Sequence, residues 1–219
     1  LVGAGRTEVV ESIFGIRKAT GDIYVDGKLI SPVSIKRMKE LGICLVTEDR
    51  RANGLFGIRS VRENLSAASV CNYVNRKIKG FGFKDEQKRA VEVSQQMNVA
   101  LPHIEAKVER LSGGNQQKVI IGRWLSTNPH IIILDEPTKG VDIGAKFEIH
   151  NKITELAKAG AAVILVSSDL PELLSLSHRI IVMRAGHMVG EVDRKEFDSV
   201  KIISMAASSS GNINKCEET

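Results

Sequence analysis

Between Leu111 and Asp142 the chain reads LSGGNQQKVIIGRWLSTNPHIIILDEPTKGVD. That order of local signals admits few folds. Ser112, Gly113 and Gly114 open a helical pattern. The backbone N–H groups of a first helical turn lack intrahelical acceptors, which makes them a natural seat for a phosphate. Val119, Ile120, Trp124 and Leu125 follow at helical spacing. Asn128-Pro129 stops the helix, and Ile131 to Leu134 is an unbroken apolar run. A strand without polar alternation is one buried on both faces, as in a parallel sheet covered by helices. It ends in Asp135-Glu136, two carboxylates at the edge where α/β sheets place their chemistry. The stretch predicts an α/β domain with a phosphate seat followed, one helix and one strand later, by an acidic pair.

Upstream, residues 3–8 read GAGRTE and run into a helical pattern. The spacing follows the phosphate-loop pattern GxxxxGK[ST], ending at Gly5-Arg6-Thr7, with the first Gly falling one residue before Leu1. On this reading the chain starts inside a motif, without the strand that feeds the loop, as a fragment of a longer protein. Gly3 and Gly5 let backbone amides approach a β-phosphate, and the Thr7 hydroxyl suits Mg²⁺. Arg6 departs from the pattern, because Lys is a compact point charge and Arg a wide planar fork. Phosphate binding is expected to survive that exchange better than catalysis. Standing alone, the stretch also reads as a Gly turn capping an ordinary helix.

Asp26-Gly27, inside GDIYVDGKLI, is a two-residue hairpin signal. Ser34 starts a short helix with Ile35, Met38 and Leu41 inward and Gly42 at its end. Ile43 to Val46 predicts another buried strand, followed by Thr47-Glu48-Asp49-Arg50-Arg51, which by itself reads equally as a charged loop. Residues 60–110 read as helical: one helix begins at Ser60 or Val61, a second covers Asp85 to Met97 with Ala90, Val91, Val93 and Met97 as its stripe, and Phe81-Gly82-Phe83 turns between them. Gly144 to Ala159 predicts an amphipathic helix carrying Phe147, Ile149, Ile153 and Leu156. Ala162 to Val166 predicts a further buried strand leading to Ser167-Ser168-Asp169, and a hairpin is expected around Ala185-Gly186. A short helix near 195–206 and a polar, disordered tail over 207–219 close the chain.

With 219 residues, 42% of them apolar, the chain has enough length for one α/β domain and a subdomain. Its 31 basic and 26 acidic residues are interspersed, so no nucleic-acid surface is expected. A small basic patch at Arg76, Lys77 and Lys79 fits membrane headgroups or an acidic partner equally. Cys44, Cys71 and Cys216 are widely spaced, which argues against a disulfide framework or a zinc site and for a reducing compartment. No apolar run approaches the roughly 20 residues needed to cross a bilayer, and no signal peptide is legible. Membrane association is expected through a partner.

These motifs, in this order, resemble the ATP-binding cassette ATPases. LSGGNQQK is similar to their signature motif, IIILDEP to their Walker B strand, GVD at 140–142 to the D-loop, and GAGRT to the end of Walker A. The resemblance implies an α/β P-loop fold with a mostly parallel sheet, a small antiparallel part and a helical subdomain over 60–110, in a single nucleotide-binding domain over 1–206. It implies ATP and Mg²⁺ as ligands. Gly3, Ala4, Gly5, Arg6, Thr7 and Glu8 would hold the nucleotide, Thr7, Asp135 and Glu48 would face the metal, and Glu136 would be the base. The family usually has Gln where Glu48 stands and His where Ser168 stands. Ser168, the catalytic-position residue beside Glu136 in this scheme, donates one hydrogen bond but does not titrate as His does. None of His103, His130, His150, His178 and His187 replaces it by position.

GAGRT, TEDRR, LSGGNQQK and SSDLPEL together are similar to the second cassette of tandem bacterial monosaccharide importers of the ribose, galactose or xylose type, over about residues 1–206. Cassettes of that family pair head-to-tail, each ATP lying between one partner's Walker motifs and the other's signature. Leu111, Ser112, Gly113, Gly114 and Asn115 would then serve the partner's ATP, and Asp142 belongs to the D-loop. The implied partners are another cassette (the N-terminal half of the same polypeptide), membrane permease subunits and, indirectly, a periplasmic sugar-binding protein, with no nucleic acid. The implied place is the cytoplasmic face of the cell membrane. Two readings stay open: an ATPase that powers sugar import, and a nucleotide-gated module that completes its partner's site without hydrolysing. A soluble cassette of DNA repair or translation is disfavoured by the mixed charge.

Overall fold

The structure, a computed structural model, describes residues 3–75 and 80–207. The basic patch at Arg76, Lys77 and Lys79, Cys216 and the polar tail from residue 208 onward lie outside the described residues. The chain divides into two units, Val10–Val166 and the pair of segments Leu1–Val9 and Ser167–Thr219.

Helix α1 (Arg6–Phe14) starts in the smaller unit and brings Val10 and Phe14 into the larger one. There, β1 (Tyr24–Val25) and β2 (Lys28–Leu29) form the expected hairpin. Its turn residues Asp26 and Gly27 sit at φ +50° and +73°, the backbone of a tight hairpin turn. Ser34 accepts a hydrogen bond from Arg37 N and caps α2 (Ile35–Glu40), and β3 (Ile43–Val46) follows with all four residues buried. Next come α3 (Val61–Ser66), a small ribbon of β4 (Val74–Asn75) and β5 (Gly80–Phe81), and α4 (Phe83–Gln96). The unit continues with α5 (Gly113–Leu125), β6 (Ile131–Asp135), α6 (Ile143–Lys158) and β7 (Ala162–Val166).

The three long apolar runs make one parallel sheet in the order β3-β6-β7. Register runs from Ile43 opposite Ile131 to Val46 opposite Leu134, and from Ile131 opposite Ala162 to Asp135 opposite Val166. Ile132, Ile133 and Leu134 of the middle strand are essentially sealed from solvent. Around Ile133 pack Val10, Phe14, Ile30, Met38, Ile43, Leu45 and Val166, each such side chain contributing about 1.5–3 kcal/mol by leaving water. Phe14 meets Trp124 edge to face at 5.9 Å, which ties α1 to α5 across this core.

β7 was expected to be buried on both faces, yet Ala162 is exposed and Ile164 is 40% exposed. Among the described residues β7 is an outer strand with a pairing neighbour on one side only, and alternate side chains stay open. Ile35 and Phe147 were placed inward by helical spacing but are 44% and 66% exposed; Met38, Ile149 and Ile153 carry the packing instead. The β4–β5 ribbon was not anticipated in a stretch read as helical with a turn at 81–83.

In the smaller unit, Asp169 caps α7 (Leu170–Leu176), which leads into the antiparallel pair β8 (Arg179–Arg184) and β9 (His187–Asp193). Its turn is the expected Ala185-Gly186, at φ +48° and +81°. Helix α8 (Ser199–Ala207) completes a core of Ile180, Val182, Val192 and Ile202, with Leu173 and Phe197 at its margin. Among the described residues no helix is long and apolar enough to cross a membrane.

Candidate functional site

In the smaller unit the phosphate-loop stretch turns on glycine. Gly3 and Gly5 have φ of +78° and +87°, a region strained for any residue with a Cβ. A Cβ on Gly5 would also stand 2.9 Å from Gly186 Cα, and Gly186 N donates to the Ala4 carbonyl at 3.1 Å. The loop closes against the β8–β9 turn and passes into α1, whose first turn offers the donor N–H groups that every helix start provides. Ala4 is buried, Thr7 half-buried and Glu8 exposed. Arg6 is half-buried, and its Nη1 donates to the Ser167 carbonyl at 2.6 Å. The guanidinium is thereby held at the backbone just before Ser168. Ser167 is buried and its Oγ accepts from Asp169 N at 3.0 Å, while Ser168 is exposed.

In the larger unit, β3 and β6 end side by side, so the Glu48 loop and the Asp135-Glu136 pair leave adjacent strand ends. Asp135 is 1% exposed and Glu136 9% exposed. Glu136 has φ +49°, and its N–H donates to the Val166 carbonyl at 2.8 Å. Glu48 is exposed, and Lys139 Nζ donates to its Oε1 at 2.6 Å. Among the described residues no three His, Cys, Asp or Glu side chains gather to hold a metal. Magnesium asks for less: it keeps waters and phosphate oxygens and takes one or two protein oxygens, and a carboxylate such as Asp135 is an oxygen donor of that kind.

The Gly-Gly turn has a definite construction. Ser112 caps α5, its Oγ accepting from Asn115 N at 3.4 Å and from Asn115 Nδ2 at 2.9 Å. A hydroxyl has two acceptor lone pairs and one proton, so what Ser112 offers a ligand is its proton, which suits an anion. Asn115 Oδ1 in turn accepts from Ala100 N at 2.8 Å. Asp142 caps α6 by accepting from Ala145 N at 2.9 Å. A Cβ on Gly114 would fall 2.3 Å from the Ala145 Cβ, so the starts of α5 and α6 touch without a spacer. Ser112, Asn115, Lys118, Asp142 and Gly144 help line an open depression of 390 Å³.

Residues 2–139 match the ABC transporter family model. The chain belongs to the ABC transporter family. It is 46% identical over 210 residues to a putative ribose/galactose/methyl galactoside import ATP-binding protein of Hahella chejuensis, covering 94% of this chain and 40% of that protein. It is 46% identical over 209 residues to the galactose/methyl galactoside import ATP-binding protein of Sodalis glossinidius, covering 94% and 41%. The chain thus spans about two fifths of the length of these curated relatives. Among solved structures, a dimeric ATP-binding cassette in a post-hydrolysis state with ADP and Pi superposes with a TM-score of 0.75 at 24% identity, over 90% of this chain and 84% of the other. The ADP conformation of another ABC transporter cassette gives 0.74 at 24% identity, over 93% and 84%. The fold is that of an ABC ATPase.

Within this ABC cassette, the structure also brings in residues that the sequence reading passed over. Arg50, seen only as part of a charged run, donates from Nη1 to the Gly113 carbonyl at 2.7 Å and from Nη2 to the Gly140 carbonyl at 3.3 Å. Arg123 is 8% exposed and donates to Asn64 O at 2.7 Å and Oδ1 at 2.8 Å, and its burial lowers its pKa to about 10. The signal for Arg50 was present as two adjacent arginines just past a strand end; Arg123 stands among the apolar residues of α5, where the Asn64 acceptors and the Phe56 ring at 5.3 Å take its guanidinium.

Proposed function

We propose that this cassette is an ATP-binding and ATP-hydrolysing unit that powers the import of a monosaccharide through a membrane permease at the cytoplasmic face of the cell membrane. Its partners are a second cassette, permease subunits and, indirectly, a periplasmic sugar-binding protein. The names of its relatives, as ribose, galactose and methyl galactoside import ATP-binding proteins, support the substrate class. Gly3, Ala4, Gly5, Arg6, Thr7 and Glu8 bind the nucleotide, Thr7, Asp135 and Glu48 supply oxygens to Mg²⁺, and Glu136 and Ser168 face the attacking water. Leu111, Ser112, Gly113, Gly114 and Asn115 act on the partner cassette's ATP, with Asp142 in the D-loop beside them.

The two sites of such a pair are unequal. The observation that carries this is Arg6, whose guanidinium is engaged with the Ser167 carbonyl, where a phosphate loop ordinarily presents a lysine ammonium. Phosphoryl transfer is accelerated chiefly by positioning and charge stabilisation, so Glu136 without a lysine and a histidine beside it contributes little. The site completed by this chain's signature hydrolyses, and the site on this chain's own loop turns over slowly. The same observation favours a second reading, in which the own site binds ATP and never hydrolyses it.

The test uses the full-length protein assembled with its permease. Ser112→Arg is expected to abolish transport, and Glu136→Gln to leave it within about twofold. The opposite pattern means that the sites are assigned the wrong way round. Nucleotide trapping during turnover separates the two readings, since hydrolysed nucleotide retained on this chain's loop excludes the non-hydrolysing module.

A further inference from the structure

Resting on that reading of the signature, we propose that Arg50 is a positioning residue that fixes the signature turn against the D-loop. Its stem is set by a local turn: Asp49 Oδ1 accepts from Ala52 N at 2.9 Å, and Asn53 N donates to the Asp49 carbonyl at 3.1 Å. From that base the planar fork spans two carbonyls from distant parts of the chain, Gly113 in the first turn of α5 and Gly140 at φ +65° just before α6. One guanidinium can grip both because its donors diverge at fixed angles; an ammonium is a single point and holds one.

The neighbouring contacts are shaped to the same end. Glu48, two residues before Arg50, pairs with Lys139, one residue before Gly140, so the loop after β3 holds the D-loop at Gly140 and the residue leading into it. A Cβ on Gly113 would lie 3.3 Å from Arg50 Nη1 and 3.4 Å from the Gly140 carbonyl, so even a methyl group there would press on both members of the clasp. At the next position Gly114 rests against Ala145. Signature turn, D-loop and the Glu48 loop are thus joined backbone to backbone through a single side chain. The Ser112 proton and the N–H groups of the turn point where Arg50 sets them. Misplacing such donors by a fraction of an ångström slows the chemical step without removing the ligand from its site.

The experiment measures ATP hydrolysis by the full-length protein with its permease, for Arg50→Lys, Arg50→Ala and, as a control on the signature reading, Ser112→Arg. Both Arg50 variants are expected to lower kcat about tenfold, with the KM for ATP changed less than about threefold. The Tm of each should stay within a few degrees of the parent. Arg50→Lys keeps the charge and the stem, so it folds and decides the matter if Arg50→Ala does not. Turnover at the parental level in Arg50→Lys overturns the proposal, as does a loss of kcat no larger than the loss of folded protein. If Ser112→Arg itself leaves turnover intact, the reading of the signature fails, whatever the Arg50 variants do.

Discussion

Two glycines with different neighbours separate two kinds of constraint. Gly3 sits at φ +78° with nothing within 4 Å of where a Cβ would be, whereas a Cβ on Gly114 would overlap that of Ala145 at 2.3 Å. The first residue is restricted by its own backbone, the second by its neighbour. Gly3→Ala is expected to cost about 1–2 kcal/mol, the usual penalty for a Cβ in the left-handed region. Gly114→Ala is expected to cost about 1–3 kcal/mol through overpacking and, unlike Gly3→Ala, to be largely relieved by Ala145→Gly in the double variant. Urea denaturation of the parent, the three single variants and the double variant measures this; strict additivity of Gly114→Ala and Ala145→Gly would show that the contact between α5 and α6 is not the constraint.

At the scale of elements, the helix starts at Ser34, Ser60 and Ser112 are legible in the sequence, whereas α7 behind Asp169 is not among the elements the sequence predicts. Ser34, Ser60, Ser112, Asp142 and Asp169 each accept a backbone N–H three residues on. A short polar acceptor in front of an apolar-periodic run has few other uses. Ser60 and Glu63 complete a reciprocal capping box, and the Glu63 carboxyl is held below its ordinary pKa, first by the Ser60 N–H and then by the Ser60 hydroxyl and the nearby Arg59 and Arg62. Because the folded pKa is lowered, that stabilisation is present above the ordinary carboxylate pKa and is lost as pH falls through the folded value. Glu63→Gln is therefore expected to cost about 0.5–1 kcal/mol at pH 7 and progressively less in acid, read from urea midpoints at several pH values. A pH-independent difference would assign the cost to something other than the carboxylate. The same local logic made the hairpins at Asp26-Gly27 and Ala185-Gly186 readable, and the three apolar runs of the parallel sheet. It did not reach Ile35 and Phe147, because spacing names a helical face without saying how wide the covering neighbour is. Nor did it reach Arg50, whose acceptors lie 63 and 90 residues away, beyond any local pattern.

At the scale of the whole molecule, the sheet gives the chain a built-in reporter. Cys44 lies in β3 at 1% exposure, and burial pushes its thiol up to about 12, whereas Cys71 is exposed. The nucleophile is the thiolate, so at neutral pH Cys44 reacts only when the β3-β6-β7 sheet opens. In a variant with Cys71→Ser and Cys216→Ser, thiol labelling is expected to be slow and to accelerate with urea along the slope of global unfolding. Labelling as fast as that of Cys71 would mean that β3 frays on its own. Whether two units unfold in one step or two can be followed with the same thiol, since it sits in the larger of them.

The backbone at Glu136 has a consequence for how such a chain changes over generations. Among the described residues, five other than glycine have positive φ: Asp26, Asn98 and Asn128 are of types that tolerate it, while Glu136 and Ala185 are not. At Glu136, glycine or asparagine would relax the backbone by about 1 kcal/mol while deleting the proposed base. Stability and chemistry pull in opposite directions at that one residue. Random substitution would therefore drift toward the calmer backbone, and the more freely the less the site on this loop depends on Glu136.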